Sequence, residues 1–225
     1  MSDFYNQKDE TYYQSYNTVL VNLIPEQAKR IVDIGCSSGR LGEVLKERNG
    51  AYVTGIEAFK EAATQAKKVL DRVYFGNIEE EEWPYPDETF DVVVFGDVLE
   101  HLVDPWDVLR KVHPYLDEGG VVCASIPNIN HVSIIEELLR GNFTYAEMGL
   151  MDQTHMRFFT VNEIHKMFVE NGFEFEAFQY IPLVQGNQVQ LLERLKTVGS
   201  EFGIDTTTLV ERGSAYQYVM RARKI

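Results

Sequence analysis

The segment Asp33-Ile34-Gly35-Cys36-Ser37-Ser38-Gly39 decides how the rest of the chain is read. It follows a short β-rich run at residues 30–34 (RIVDI) and opens a stretch of helical character at 41–48. A glycine directly after a strand permits a tight turn and a close backbone approach to a ligand. A second glycine at the helix start lets helix and strand pack tightly. A dinucleotide-binding turn needs G-x-G-x-x-G, but positions 37 and 40 are Ser and Arg. Two glycines spaced four apart behind Asp33 describe a different nucleotide-binding turn. Glu57 ends the next strand candidate, 22 residues after Gly35. A carboxylate at that point can accept hydrogen bonds from both hydroxyls of a ribose.

Outward from this turn, strands and helices alternate. Strand candidates lie at 51–56 (AYVTGI), 73–75, 90–95 (FDVVVF) and 121–126 (VVCASI), with helices at 60–70 and from 105 to about 116. The 90–95 run is almost continuously apolar, as suits a strand covered on both faces. Asp104 is placed to cap the helix that begins at Pro105, and Gly119-Gly120 to break it. The pattern predicts an α/β fold with a doubly wound, mostly parallel sheet and helices on both faces. Its ligand crevice should lie at the carboxyl ends of the strands. Residues just after Ile34, Ile56, Phe75, Phe95 and Ile126 are therefore expected on one rim.

The second half has a different texture. Residues 128–159 show no strong period and contain Gly141, Gly149, His131 and His155. Thr160 is expected to cap a helix at 161–171, with Glu163 at the capping-box position, and 173–181 reads as a strand. Residues 182–214 hold one helix-like stretch, 189–198, and 215–222 (AYQYVMRA) alternates like a strand. Connections this long are uncommon unless they serve a purpose, so 127–159 and 182–214 read as coverings on the substrate side of a single domain spanning 1–225.

Composition narrows the function. Twenty-one Lys and Arg against 35 Asp and Glu give a net charge of −14, which disfavours nucleic acid and anionic membrane as partners. No apolar run reaches the roughly 18 residues of a membrane span. Cys36 and Cys123 lie 87 positions apart in strand-like sequence, so neither a disulfide framework nor a cysteine metal site is expected. No charged-then-apolar secretion pattern opens the chain. A soluble, cytoplasmic monomer or homodimer is the expectation.

The run V-D-I-G-C-S-S-G-R-L followed by G-I-E resembles the first two motifs of class I S-adenosylmethionine-dependent methyltransferases. Gly76-Asn77-Ile78-Glu79, the fourth-strand segment FDVVVFGDVLEHL, the strand at 119–126 and the helix at 159–173 are similar to later parts of that family. The likeness is strong over 30–126 and holds in outline over 159–223, within the bacterial small-molecule branch. It implies a Rossmann-like, seven-stranded sheet with an antiparallel last strand, and S-adenosyl-L-methionine as cofactor. By that resemblance, Asp33 and the loop of Gly35, Cys36 and Gly39 face the methionine part, and Glu57 holds the ribose. Ala58 touches the adenine edge, and Asn77 with Ile78 takes the base. Gly96, Asp97 and Val98 lie beside the sulfonium, with His101 near the cofactor. The family more often carries Asp where Asn77 stands.

Methyl transfer is an in-line displacement that depends chiefly on positioning, and a base is needed only when the acceptor carries a proton that must leave. Among the five histidines, His113 and His165 fall inside helices and suit packing. His131 and His155 are the candidate bases. His155 is favoured because Asp152, three residues before it, could orient its ring; the alternative is that Asp152 pairs with Arg157. No metal site is expected, since the acidic run 79–82 suits a solvated loop. The N-terminal residues 1–29, with Tyr5, Tyr12, Tyr13 and Tyr16, are expected to form a helical lid. The reading is methylation of an oxygen or nitrogen on a small molecule, such as a sugar or secondary metabolite. The competing readings are a non-catalytic binder of the same cofactor and, with less support, a nicotinamide-dependent oxidoreductase.

Overall fold

The computed structural model describes residues 16–225; Tyr5, Tyr12 and Tyr13 of the expected lid lie outside the described residues. Seven strands form one sheet: β1 (Arg30–Ile34), β2 (Tyr52–Glu57), β3 (Arg72–Phe75), β4 (Phe90–Gly96), β5 (Leu116–Pro127), β6 (Phe173–Pro182) and β7 (Ala215–Lys224). Their order is β3-β2-β1-β4-β5-β7-β6. Strands β1 to β5 pair in parallel, and β7 runs antiparallel between β5 and β6. The chain winds outward from β1 to β3, then returns to the other side of β1, so the switch point falls between β1 and β4.

The apolar alternation of the strands explains both layers. On β4, Val93 and Phe95 enter one core while Val92 and Val94 enter the other, and all four are fully buried. The first core packs β4 and β5 against α4 (Pro105–Val112) and α6 (Val161–Glu170) through Leu109, Ile164 and Phe168. On the second, α1 (Thr18–Leu23) covers β5 and β7 through Leu20, while α2 (Arg40–Asn49) and α3 (Lys60–Ala66) cover the β2 side through Leu45 and Ala66. Each fully buried Leu or Phe among them contributes roughly 1.5–3 kcal/mol.

Several boundaries differ from expectation for local reasons. Helix α3 stops at Ala66, and the chain tightens into turns that fold Val69 and Leu70 beneath α2. Helix α4 is capped by Asp104, whose Oδ1 accepts from Asp107 N at 2.9 Å, but it ends at Val112 because Pro114 cannot continue it. Strand β5 begins at Leu116, pairing with Phe90 before an irregularity that carries Gly119 and Gly120. Thr160 occupies the N-cap of α6, yet its side chain makes no capping bond.

Helix α5 (Val132–Leu139) was not singled out within 128–159: it is only eight residues long, with Ser133, Glu136 and Glu137 on one face and the apolar residues on the other, of which only Val132 and Ile134 are buried. Helices α7 (Gln188–Glu201) and α8 (Leu209–Ser214) occupy the second long connection. Gln188 Nε2 donates to Glu136 Oε2 at 2.9 Å, so the two connections touch each other. His113 and His165 serve packing, as expected: His113 Nε2 lies 3.3 Å from Gly172 O, and the His165 ring lies 4.3 Å from Phe175.

Candidate active site

The turn after β1 is pinned to β2, since Gly35 N and Cys36 N both donate to Ile56 O at 2.8 and 3.2 Å. Gly35 has φ +69°, and a Cβ there would lie 2.6 Å from Val98 Cγ2. The turn therefore needs glycine for both conformation and space. Gly39 does a different job from the one expected. A Cβ on it would meet Val69 Cγ2 at 2.8 Å, in the segment after α3 and not in a strand. The glycine that lets helix pack on strand is Gly42, where a Cβ would meet Leu70 Cδ2 at 2.5 Å and Val53 Cγ1 at 2.9 Å. Gly42 stands outside the motif expected to pack the helix, although a glycine inside a helix is itself a packing signal.

Behind the turn lie two buried carboxylates. Glu57 Oε2 accepts from Ser37 N at 2.7 Å and Oε1 from Phe59 N at 2.8 Å. Burial raises the Glu57 pKa, and these backbone donors oppose the rise. Asp33 is 3% exposed, and burial together with the Glu57 charge pushes its pKa up to about 7. Arg40, on the same wall, turns to Glu43 and lies over the Tyr16 ring. Two carboxylates held this way offer a cation a strong electrostatic match.

These groups line a cavity of about 880 Å³, within the usual range for small-molecule sites. Its walls come from the ends of β1 to β4, at 33–37, 56–59, 76–80 and 96–98, with residues 101–104, Thr154 and Tyr16, Asn17 and Leu20. Of the proposed cofactor contacts, Asp33, Gly35, Cys36, Glu57, Ala58, Asn77, Ile78, Gly96, Asp97, Val98 and His101 are in the lining, and Gly39 is not. Asn77 Oδ1 accepts from Glu79 N at 3.0 Å, which leaves that oxygen one further lone pair. The acidic run is anchored rather than loose: Glu79 Oε1 accepts from Asp104 N at 2.8 Å, and Lys111 Nζ holds Ile78 O at 2.6 Å. The rim after Ile126 departs from expectation, because Asn128 is fully buried and donates to Arg212 O and Ala215 O.

The histidines separate clearly. His131 is 3% exposed and caps α5, its Nδ1 accepting from Ser133 while Nε2 donates to Leu183 O at 2.6 Å. Neither His131 nor His155 is in the cavity lining, whereas His101 and Thr154 are. His101 sits in the 3₁₀ turn Leu99–His101, with Nδ1 3.1 Å from Thr154 O. Its ring lies 4.8 Å from that of His155, edge to face, and His155 Nδ1 lies 3.2 Å from Leu150 O. Asp152 Oδ1 accepts from Thr154 N and Thr154 Oγ1 at 2.8 and 2.6 Å, and that hydroxyl is 3.2 Å from His101 Nδ1. Asp152 thus supports His101 through Thr154. Arg157 reaches Val103 O. One donor atom from each of Glu100, His101 and His155 lies within 4.8 Å of the others. No spacing in the sequence points to this cluster, because 54 residues separate its two histidines.

A methyltransferase-domain family model matches residues 8–177. The ubiquinone biosynthesis O-methyltransferase of Aeromonas salmonicida is 30% identical over 171 residues, covering 72% of this chain and 71% of that protein. The 27-O-demethylrifamycin SV methyltransferase of Amycolatopsis mediterranei is 35% identical over 108 residues, covering 45% of this chain and 40% of that protein. A SAM-dependent methyltransferase from Archaeoglobus fulgidus superposes with a TM-score of 0.65 at 17% identity, over 96% of this chain and 97% of that one. The sheet order and the family match agree: the chain belongs to the methyltransferase-domain family, among the class I S-adenosylmethionine-dependent methyltransferases.

Proposed function

We propose that this protein transfers the methyl group of S-adenosyl-L-methionine to a hydroxyl oxygen of a small molecule with an apolar body. The carrying observation is the buried Asp33–Glu57 pair beside the Gly35 turn in a cavity at the strand ends. The cofactor's ammonium matches Asp33, its ribose hydroxyls match Glu57 as their acceptor, and a turn with no room for a Cβ matches close backbone approach. When bound, the cofactor supplies an electrophilic methyl carbon. Glu57 holds the ribose, while Ala58, Asn77 and Ile78 take the base. Asp33, Gly35 and Cys36 face the methionine portion, with Gly39 shaping the helix start behind them, and Gly96, Asp97, Val98 and His101 flank the sulfonium.

The choice of oxygen is supported by relatives named as ubiquinone biosynthesis O-methyltransferases. The acceptor side is assigned to the connections 127–159 and 182–214. There Phe143, Tyr145 and Phe158 form an aromatic cluster, and Phe158 lies 6.2 Å from His155. A hydroxyl must lose its proton, and we place its activation at His155 and its neighbour His101, leaving His131 a structural part. Tyr16 and Asn17, which line the cavity, form the described end of the N-terminal cover.

The test combines S-adenosylhomocysteine calorimetry with methyl transfer from labelled cofactor to paired phenol and aniline acceptors. Micromolar binding with label appearing on the phenols is the expected result. Label on the anilines alone would sink the oxygen assignment, and binding without any transfer would favour the non-catalytic binder.

A further inference from the structure

We infer that Arg40 receives the carboxylate of the cofactor's methionine portion, giving up its partner Glu43 for it beneath the ring of Tyr16. The inference rests on the proposed placement of that portion beside Asp33 and the Gly35 turn, and it supplies the anion-binding half of the same site.

An α-amino acid end brings an ammonium and a carboxylate, and the two need opposite partners. The cavity walls are rich in acids: Asp33, Glu57, Glu79, Glu80, Asp97 and Asp104 all line it. Among the described residues of that lining, Arg40 is the only Lys or Arg. In a protein of net charge −14, an anion entering such a cavity meets repulsion that this guanidinium must offset. A guanidinium also presents parallel N–H donors that match the two oxygens of a carboxylate.

The position suits the role. Arg40 opens α2 directly after Gly39, whose φ of +88° turns the chain out of the loop that begins at Gly35. It therefore stands on the wall of Asp33 and Gly35 and not on that of Asn77. Ser37, in the same loop, sits at φ +50°, and its Oγ is buried with no partner among the described residues, a further donor at this wall.

The guanidinium is already engaged, but by a partner that is easily replaced. Its Nη1 donates to Glu43 Oε2 one helical turn along, and its Cζ lies 5.7 Å from the centroid of the Tyr16 ring. The Arg40 and Glu43 side chains are 43% and 36% exposed, and pairs this open to water add little to stability. Tyr16 and Asn17 line the cavity beside Arg40. A guanidinium fixed by a bound carboxylate gives the Tyr16 ring a fixed cation to lie over, so the ligand also orders the described end of the N-terminal cover.

Calorimetry on the full chain tests this by comparing S-adenosylhomocysteine with its decarboxylated analogue, which keeps the adenosine, the thioether and the ammonium. Arg40→Gln should weaken S-adenosylhomocysteine at least about tenfold and leave the analogue within about twofold, so that the preference for the carboxylate collapses. Arg40→Lys, which keeps the charge without the paired donors, should recover part of it. Glu43→Gln should act in the opposite sense and tighten S-adenosylhomocysteine about two- to fivefold, with no gain for the analogue. The analogue is an internal control, because a poorly folded variant lowers the binding stoichiometry of both ligands and not the ratio of their affinities. A ratio unchanged in Arg40→Gln, or an equal loss for both ligands, overturns the assignment, and Glu43→Gln that fails to tighten overturns the exchange. Wild-type binding of both ligands in those cases leaves the cofactor reading standing; a wild-type chain that binds neither removes that reading and the inference together.

Discussion

Gln217, near the start of β7, donates through Nε2 to the half-buried carboxylate of Asp97 just past the end of β4, while its Oε1 accepts from Asn17 Nδ2 at 2.9 Å. One side chain thus joins a late strand, the cavity floor and the cap of α1. Burial raises the Asp97 pKa, and the Ser125 and Gln217 bonds oppose the rise. Gln217→Ala removes a donor to a charged group and should cost about 1.5–3 kcal/mol near neutral pH. An acid whose pKa is raised on folding loses stability as pH climbs, so the deficit should widen with pH. Urea unfolding at two pH values checks this, and an unchanged midpoint at both would remove Gln217 from the argument.

Asp33 gives a second pH signature. Its pKa moves from 3.8 unfolded to about 7 folded, so between those values the native state holds a proton that the unfolded chain has released. Ligand-free stability should therefore fall as pH rises from about 4 to 7, and Asp33→Asn should flatten that slope. Affinity for S-adenosylhomocysteine, which carries an ammonium, should instead rise over the same interval as Asp33 ionises. Thermal melts and calorimetry across the interval decide it; a slope that persists in Asp33→Asn would place the titration elsewhere.

Glu57→Ala should weaken S-adenosylhomocysteine by about 1.5–3 kcal/mol through lost hydrogen bonds to a charged acceptor. It should also move the Asp33 step to lower pH, because the Glu57 charge helps hold that pKa up. Gly35→Val should abolish binding, since a Cβ alone would already meet Val98 at 2.6 Å. Calorimetry at wild-type affinity in both variants would break the cofactor assignment.

What the sequence disclosed depended on whether a signal was local. The turn after β1, the doubly buried β4 and the acid at Glu57 each follow from neighbours within a few residues, and the ends of β1 to β4, though not of β5, line one cavity. Gly42 acts through Leu70 and Val53, and Gln217 acts on Asp97 120 residues away, so neither spacing carries a readable period. The Glu100, His101 and His155 cluster is hidden for the same reason. His131 misled because a histidine following a strand looks like a rim residue, whereas Asn128 turns the chain inward and makes it a helix cap.

That misplacement yields a sharp test between the two histidines first weighed as bases. His131→Ala removes the cap of α5 and the bond to Leu183 O, so it should cost about 1–3 kcal/mol of stability. Turnover per folded molecule and S-adenosylhomocysteine affinity should stay near wild type. His131→Asn, which restores a good capping oxygen, should recover part of the loss. His155→Ala should behave in the opposite way, with stability close to wild type and turnover on a hydroxyl acceptor down by about two to four orders of magnitude. Paired unfolding and steady-state measurements resolve the two patterns. A large fall in turnover for well-folded His131→Asn would mean that the ring reaches the acceptor despite its two bonds, and the acceptor side would have to be redrawn around α5.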